Sequence, residues 1–188
     1  MNSTQKDQSW QILNNSTNNS IKTALIAVCF FVVSASQATA QTFEASAGSS
    51  GWVESFDQAV AESESSGKPI MFVFSGSDWC SYCQRLEHEV FRTPEFESWS
   101  GSNVIKVMVD FPRYHNLSGE IATQNENLKE HFAGQLKGYP TILMVQADGT
   151  VIGRSGYVAG GPIPWIAKTD SILRRSQHRL ADTSFQNQ

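Results

Sequence analysis

Two cysteines, Cys80 and Cys83, lie three residues apart, directly after the apolar stretch of residues 70–74 and a short polar turn. This order predicts a buried strand, a turn and then a helix that begins at the cysteines. The unpaired N–H groups and positive dipole end of a helix N-terminus stabilise a thiolate, so we expect Cys80 to be a nucleophile. Cys83 falls one turn further along the same face, where its sulfur can close a disulfide with Cys80 or resolve a mixed disulfide formed there. The spacing therefore predicts a dithiol redox pair.

Two cysteines at this spacing could also serve in three other roles. A disulfide that closes a loop of about four residues contributes only about 1.9 kcal/mol, against about 3 kcal/mol for fifteen, so a purely structural staple is disfavoured. Cys80, Cys83 and His88 could supply three metal ligands, whereas a structural zinc site takes four. Haem attachment is excluded because Gln84 stands where a Cys-x-x-Cys-His motif needs its histidine. A soft-metal site with His88 stays open as the alternative.

A second feature, Gly138-Tyr139-Pro140-Thr141, comes far downstream and precedes an apolar predicted strand. Together with the strand, the Trp-Cys-x-x-Cys segment and the helix, it makes the sequence similar to the thioredoxin superfamily over most of residues 52–175. The resemblance is strongest to small exported thioredoxin-like proteins and to the redox domains of disulfide isomerases. It implies an α/β fold, a thioredoxin-like three-layer sandwich whose mixed central sheet is flanked by helices.

The resemblance also implies an activity and a set of site residues. It identifies the chain as a thiol–disulfide oxidoreductase without a cofactor, in which Cys80 attacks and Cys83 resolves. Pro140 would be cis and face the cysteines, Tyr139 would offer its backbone to an extended substrate, and Trp79 would form a hydrophobic collar around the sulfur. The implied partners are protein thiols or disulfides in extended segments and a redox protein that recycles the pair. The alternative is a thioredoxin-fold copper chaperone, although no histidine lies near Pro140.

The sequence departs from the family at two places. Thioredoxins commonly carry a buried acidic residue six positions before the first cysteine, and here that residue is Phe74. Proton transfer is therefore left to water or to Asp78, Glu87 or His88, which we interpret first as solvated charges at the start and on the outer face of the helix. The intervening dipeptide Ser81-Tyr82 differs from those of thioredoxin and of strong oxidants. The direction of the redox reaction thus stays open.

The first forty residues predict an export signal behind a polar extension. Lys22 precedes the uncharged apolar run of residues 23–35, which is too short for the roughly 20 residues that span a bilayer, and Ala38-Thr39-Ala40 fits a cleavage site before Gln41. An uncleaved anchor and a lipoprotein modified at Cys29 are the alternatives, and Val28 fits a lipidation motif poorly. We expect an exported protein, periplasmic or secreted, that contacts a membrane only through this segment.

Composition places the remaining chain in a single domain. The 188-residue sequence has 14 basic and 18 acidic residues, of which residues 41–188 keep 12 and 17, so the part after the signal has a net charge of −5. This balance argues against nucleic-acid binding. We predict a flexible linker at 41–51, the thioredoxin-like domain at 52–175 and a polar, frayed tail at 176–188.

The hydrophobic pattern predicts the order of elements within that domain. Five helical segments and four strands are expected: helices 52–66, 80–91, 94–99, 119–132 and 165–175, and strands 70–74, 104–109, 142–145 and 151–154. The last two strands would form a hairpin through Asp148-Gly149, a strong turn signal.

Overall fold

The structure is a computed structural model that describes Trp10, Gln11 and residues 51–186, with side chains up to residue 178. The helices are α1 (Phe56–Ser66), α2 (Ser81–Leu86), α3 (Pro94–Asn103), α4 (Gly119–His131) and α5 (Pro162–Gln186), and a π-helical turn (Glu87–Phe91) continues α2. The strands are β1 (Trp52–Val53), β2 (Ile70–Ser75), β3 (Ile105–Asp110), β4 (Thr141–Val145) and β5 (Val151–Ser155).

These strands form one mixed sheet in the order β1-β3-β2-β4-β5. Every residue of β2 is buried, because β2 lies at the centre and pairs parallel with β3 and antiparallel with β4. A strand covered on both faces needs apolar residues throughout, which residues 70–74 supply. The predicted thioredoxin-like α/β architecture is confirmed.

Alternation along β2 divides the core into two layers. Ile70, Phe72 and Phe74 point into the first layer, and Met71 and Val73 point into the second. The second layer contains an aromatic group around the fully buried Trp165 of α5, which packs against Phe91, Phe96 and Trp99. The second layer lies beneath α2, so its packing supports the helix that carries the cysteines.

The predicted helix from residue 52 to 66 is wrong at its start. Trp52 and Val53 form a short strand that pairs in parallel with Lys106 and Val107 of β3. The helix begins only at Phe56, because the hydroxyl group of Ser55 accepts a hydrogen bond from the backbone N–H of Gln58 and caps the first turn.

Two further helices are longer than predicted. The predicted helix 94–99 continues to Asn103. The last helix begins at Pro162 and runs to Gln186, so the prediction that it ends at Arg175 and is followed by a frayed tail is wrong. Ile172, Leu173 and Ser176 are buried, which shows that the inward-facing side of α5 extends beyond the predicted end. No helix of the described residues has both the length and the apolar character needed to cross a membrane.

The polar N-terminal extension contributes one side chain to the core. Residues 1–20 show no apolar periodicity, yet Trp10 is buried and packs against Phe56 in the first core layer. The predicted signal core and cleavage site lie outside the described residues.

Candidate active site

Cys80 occupies the N-cap position of α2, five residues after Ser75, where β2 ends and a tight turn begins. Its backbone N–H donates to the carbonyl oxygen of Gly76 at 2.8 Å, which closes that turn. Gly76 is required here, because a Cβ atom at this position would overlap the indole ring of Trp79. The turn therefore places a sulfur at a helix start, as the sequence predicted.

The two cysteines form a disulfide, with their Cα atoms 5.2 Å apart. The Cys80 Sγ atom also accepts a hydrogen bond from the backbone N–H of Cys83 at 3.2 Å. Both residues are buried. In the reduced protein the same N–H is available to a Cys80 thiolate, and such a charge-assisted bond is stronger than a neutral one.

The structure brings Trp79 and Tyr139 together beside this turn. Their rings meet edge to face with centroids 5.5 Å apart, and the Trp79 Nε1–H donates to the carbonyl oxygen of Phe111 at 2.7 Å. Desolvation raises the pKa of the Tyr139 hydroxyl group. The Tyr139–Pro140 peptide bond is cis. Trp79, Tyr139 and Pro140, named from the sequence, thus belong to one surface of the molecule.

Asp78 anchors the loop that follows β3. Its carboxylate accepts the backbone N–H groups of Arg113, at 2.9 Å, and Tyr114, at 2.7 Å, and lies 3.2 Å from Nδ1 of His115. The anchored loop holds the Arg113 guanidinium 4.0 Å above the centre of the Trp79 ring. Asp78 is therefore a structural anchor, and the interpretation of this residue as a solvated charge is wrong.

The pKa of Asp78 reflects these contacts. Desolvation, the largest single contribution, raises its pKa, but the N–H groups of Arg113 and Tyr114 and the neighbouring His115 together lower it below the ordinary value of 3.8. A lowered folded-state pKa means that the stabilisation is complete above that ordinary value and is lost as the pH falls through the folded-state value.

Asp78→Asn should therefore make the melting temperature depend less on pH in the acid range. The variant loses the charge that holds the loop, so we expect a lower melting temperature at neutral pH and a smaller further decrease below about pH 4 than in the wild type. Thermal melts between pH 2.5 and 7 measure both effects. Asp148→Asn is the matched control, since Asp148 accepts one N–H group in the β4–β5 turn; equal profiles for both variants would contradict the anchor.

A cavity of about 530 Å³ lies beside Cys83. Its lining combines Cys83 and the cis proline with residues of β2, of the turn after it, of α2 and the π-helical turn, and of β3: Val73, Ser75, Ser77, Cys83, Gln84, Leu86, Glu87, His88, Phe91, Arg92, Met108 and Pro140. Glu87 falls four residues after Cys83, on the same helical face, and its Oε1 atom pairs with Arg92 Nε at 3.1 Å. Of the three acid–base candidates, Glu87 and His88 thus share a cavity with Cys83.

Comparison with known proteins identifies the family. A family model described as "Thioredoxin-like domain" matches residues 56–163, more than half of the chain. The chain belongs to the thioredoxin-like family. It is 31% identical over 121 residues to the disulfide bond reductase DsbH of Chlamydia pneumoniae, an alignment that covers 64% of this chain and 72% of that protein. As a family member with such a relative, it is a thiol–disulfide oxidoreductase.

Two further relatives agree with this assignment. A solved structure of a DsbH oxidoreductase superposes with a TM-score of 0.61 at 30% identity, and the match covers 65% of this chain and 83% of that one. The thioredoxin-related protein DsbJ of C. pneumoniae is 25% identical over 141 residues, which cover 71% of this chain but only 40% of DsbJ. The predicted family, fold and enzyme class, and the Cys80–Cys83 disulfide, are confirmed.

Phe74 stands where thioredoxins commonly carry a buried acidic residue. Phe74 points into the first core layer, where its ring packs against Phe132 at 6.2 Å. Ser75, the next residue, lines the cavity beside Cys83. The ionisable side chains that line that cavity, Glu87, His88 and Arg92, lie on and directly after the π-helical turn that continues α2.

The sequence did not predict a cluster of side chains that forms around Tyr82, between the two cysteines. Tyr82 is 56% exposed, and the centroid of its ring lies 5.6 Å from that of the Tyr157 ring. The Tyr157 hydroxyl donates a hydrogen bond to Glu89 Oε2 at 2.6 Å. Arg85 pairs with Glu89 at 2.8 Å and lies 4.8 Å from the centre of the Tyr157 ring. The hydrogen bond from Tyr157, followed by that from Arg85, lowers the pKa of Glu89. Tyr157 follows β5, and no motif links it to the cysteines.

The metallochaperone alternative finds no support here. In the described part of the chain, no three His, Cys, Asp or Glu side chains converge on a point where a metal ion could bind. His88 faces the same cavity as Cys83, but Glu87 and Arg92 form an ion pair in that lining. The relatives are named for disulfide chemistry.

Proposed function

We propose that this chain is an exported disulfide reductase that acts on extended segments of other proteins, with Cys80 as the attacking thiol and Cys83 as the resolving thiol. The proposal depends on the position of the Cys80 sulfur at the helix N-cap, within 3.2 Å of the Cys83 N–H group. A thiolate there is stabilised by that N–H and by the helix dipole, whereas Cys83 lies within the helix and next to a cavity.

The reaction proceeds in two exchanges that balance atoms and electrons. The Cys80 thiolate attacks one sulfur of the substrate disulfide, which forms a mixed disulfide and releases the other substrate sulfur as a thiolate. Cys83 then gives up its proton and attacks the Cys80 sulfur, which releases the second substrate thiolate. The substrate gains two electrons, and its two thiolates take up the proton that Cys83 gave up and one from solvent, which replaces the proton that Cys80 lost on ionisation; the enzyme is left with the disulfide seen in the structure. A dithiol partner must reduce that disulfide before the next turnover.

The groove for the substrate is formed by Trp79, Tyr139 and Pro140. Proline has no N–H group, so the backbone next to Pro140 can take an extended peptide without competition from a sheet bond. Trp79 adds an aromatic wall that Phe111 and Arg113 hold in place. A partly unfolded segment can enter such an open surface, and this is why we propose protein substrates.

Export is proposed from the apolar run of residues 23–35 and from the similarity to the Dsb relatives. Cleavage after Ala40 would remove Cys29 with the signal. The domain of residues 52–175 would then carry no thiol besides the redox pair, which suits an oxidising compartment.

The redox potential of the Cys80–Cys83 pair tests the direction of the reaction. Thioredoxin has a potential of about −270 mV and the oxidant DsbA about −120 mV, a gap of about 7 kcal/mol for two electrons. We expect a value near that of thioredoxin, together with reduction of insulin disulfides. The measurement is equilibration of the protein with defined thiol–disulfide buffers. A potential near −120 mV, with no insulin reduction, would instead make this chain an oxidase.

Glu87→Gln tests the proton transfer that Phe74 cannot provide. If Glu87 accepts the Cys83 proton through water in the cavity, the variant should slow resolution of a preformed mixed disulfide by about 10²-fold near neutral pH. The initial attack by Cys80 should be almost unchanged. Stopped-flow measurement of both steps across pH separates them. Glu89→Gln is the control, because Glu89 lies on the same π-helical turn but pairs with Tyr157; an equal slowing in both variants would contradict this role.

A further inference from the structure

A pocket at one end of the first core layer holds the side chain of Trp10. The residue is only 5% exposed. Its indole ring meets Phe56 edge to face with centroids 5.0 Å apart, and the rings of His131 and Phe132 lie at 5.4 and 6.1 Å. Three aromatic rings from α1 and the end of α4 therefore enclose an indole from a distant part of the chain.

Backbone atoms of the β4–β5 turn form the remaining wall of this pocket. The Trp10 Nε1–H donates to the carbonyl oxygen of Ala147 at 3.1 Å. Gly149 has φ +85°, and a Cβ atom there would lie within about 3 Å of the indole ring. Glycine thus serves the turn and also leaves the space that the ring occupies. One acceptor faces the single N–H group that an indole offers.

We infer that this pocket is a binding site for an indole side chain and that Trp10 is its ligand within the full chain. The pocket is separate from the redox site. Val145, just before the turn, pairs with Ile70 at the start of β2, whereas Cys80 follows the end of that strand. Occupancy of the pocket therefore affects the stability of the domain without contacting the cysteines.

Occupancy of the indole pocket also differs between the chain before export and the exported, cleaved domain, which rests on the proposed export. A signal segment at residues 23–35 places Trp10 and the domain on opposite sides of the membrane once the domain has crossed. Trp10 can then dock only while both are on the same side, and cleavage after Ala40 removes it. The processed domain is left with an open indole pocket.

The test uses the full chain with Trp10→Ala and a small indole, N-acetyltryptophanamide. We expect the variant to melt at least about 6 °C below the wild type, because a buried tryptophan is lost. Millimolar N-acetyltryptophanamide should raise the melting temperature of the variant but not that of the wild type, whose pocket is filled. N-acetylphenylalaninamide, which lacks the N–H group, should have a smaller effect.

Two variants keep the inference falsifiable. Trp10→Phe retains the ring contacts and loses only the bond to Ala147, so its melting temperature should lie between those of the wild type and Trp10→Ala. Gly149→Ala should lower the melting temperature more in the wild type than in the Trp10→Ala background, since the strain of the turn is common to both and only the overlap with the indole differs. Equal effects of Gly149→Ala in the two backgrounds would overturn the inference.

The remaining outcomes are equally decisive. An unchanged melting temperature in Trp10→Ala, or a lowered one that the indole does not restore, would show that no preformed indole site exists. Insulin reduction is expected to stay within twofold of the wild type in the Trp10→Ala variant at temperatures where it is folded. Loss of insulin reduction in the wild type would contradict the proposed function and leave the pocket unaffected.

Discussion

A Cys83→Ala variant is expected to accumulate mixed disulfides with protein substrates through Cys80, whereas a Cys80→Ala variant is expected to trap none. The reason is the asymmetry of the site: the Cys80 sulfur lies at the helix N-cap with an N–H donor at 3.2 Å, and Cys83 lies within the helix. Turnover of a disulfide substrate should fall to background in both variants, because each lacks one of the two exchanges.

The measurement is capture of partners on non-reducing gels, followed by mass spectrometry of the linked peptides. All variants should also carry Cys29→Ser, so that the third cysteine of the sequence cannot form a linkage. Equal trapping by the two single variants would overturn the assignment of attacking and resolving roles.

Trp165→Ala should be the most destabilising single change in α5. Its side chain is fully buried among Phe91, Phe96 and Trp99, and its Nε1–H donates to the carbonyl oxygen of Gly156 at 3.1 Å. Removal of a buried aromatic side chain costs about 3–5 kcal/mol. Denaturant unfolding gives this value directly. Because the second core layer lies beneath α2, loss of the cooperative transition should be accompanied by loss of redox activity.

Ile163→Ala supplies the control within the same helix. Ile163 is an aliphatic residue that is 65% exposed, so its truncation should change the free energy of unfolding by no more than about 0.5 kcal/mol. A similar cost for the two variants would mean that α5 is not anchored through Trp165.

The elements whose sequence carries a local signal agreed well with the structure. The five-residue apolar run before the cysteines correctly predicted a buried strand, and Asp148-Gly149 correctly predicted the hairpin. The errors arose where a contact far along the chain decides the state. Trp52 and Val53 pair with β3, a partner about fifty residues away, and two residues are too few for a periodic pattern to show.

The residues of the candidate site differ in the same way, by whether a local motif identifies them. Cys80, Cys83, Trp79 and Pro140 were identified from spacing and from resemblance, since each belongs to a short motif. Tyr157 belongs to none. It approaches Tyr82 because the loop after β5 lies beside α2, and a single tyrosine in a glycine-rich loop has no signal of its own.

The sequence alone determined that this protein has a dithiol at a strand–helix turn and a proline before a buried strand, and hence its family and reaction class. These features are local, since neighbours along the chain create the helix N-terminus at which the Cys80 sulfur lies. Only the tertiary structure decided which charged groups surround the pair. It assigned Asp78 to a loop and Glu87 to the cavity beside Cys83, because a side chain's role depends on which distant backbone and side-chain groups packing brings within hydrogen-bond distance.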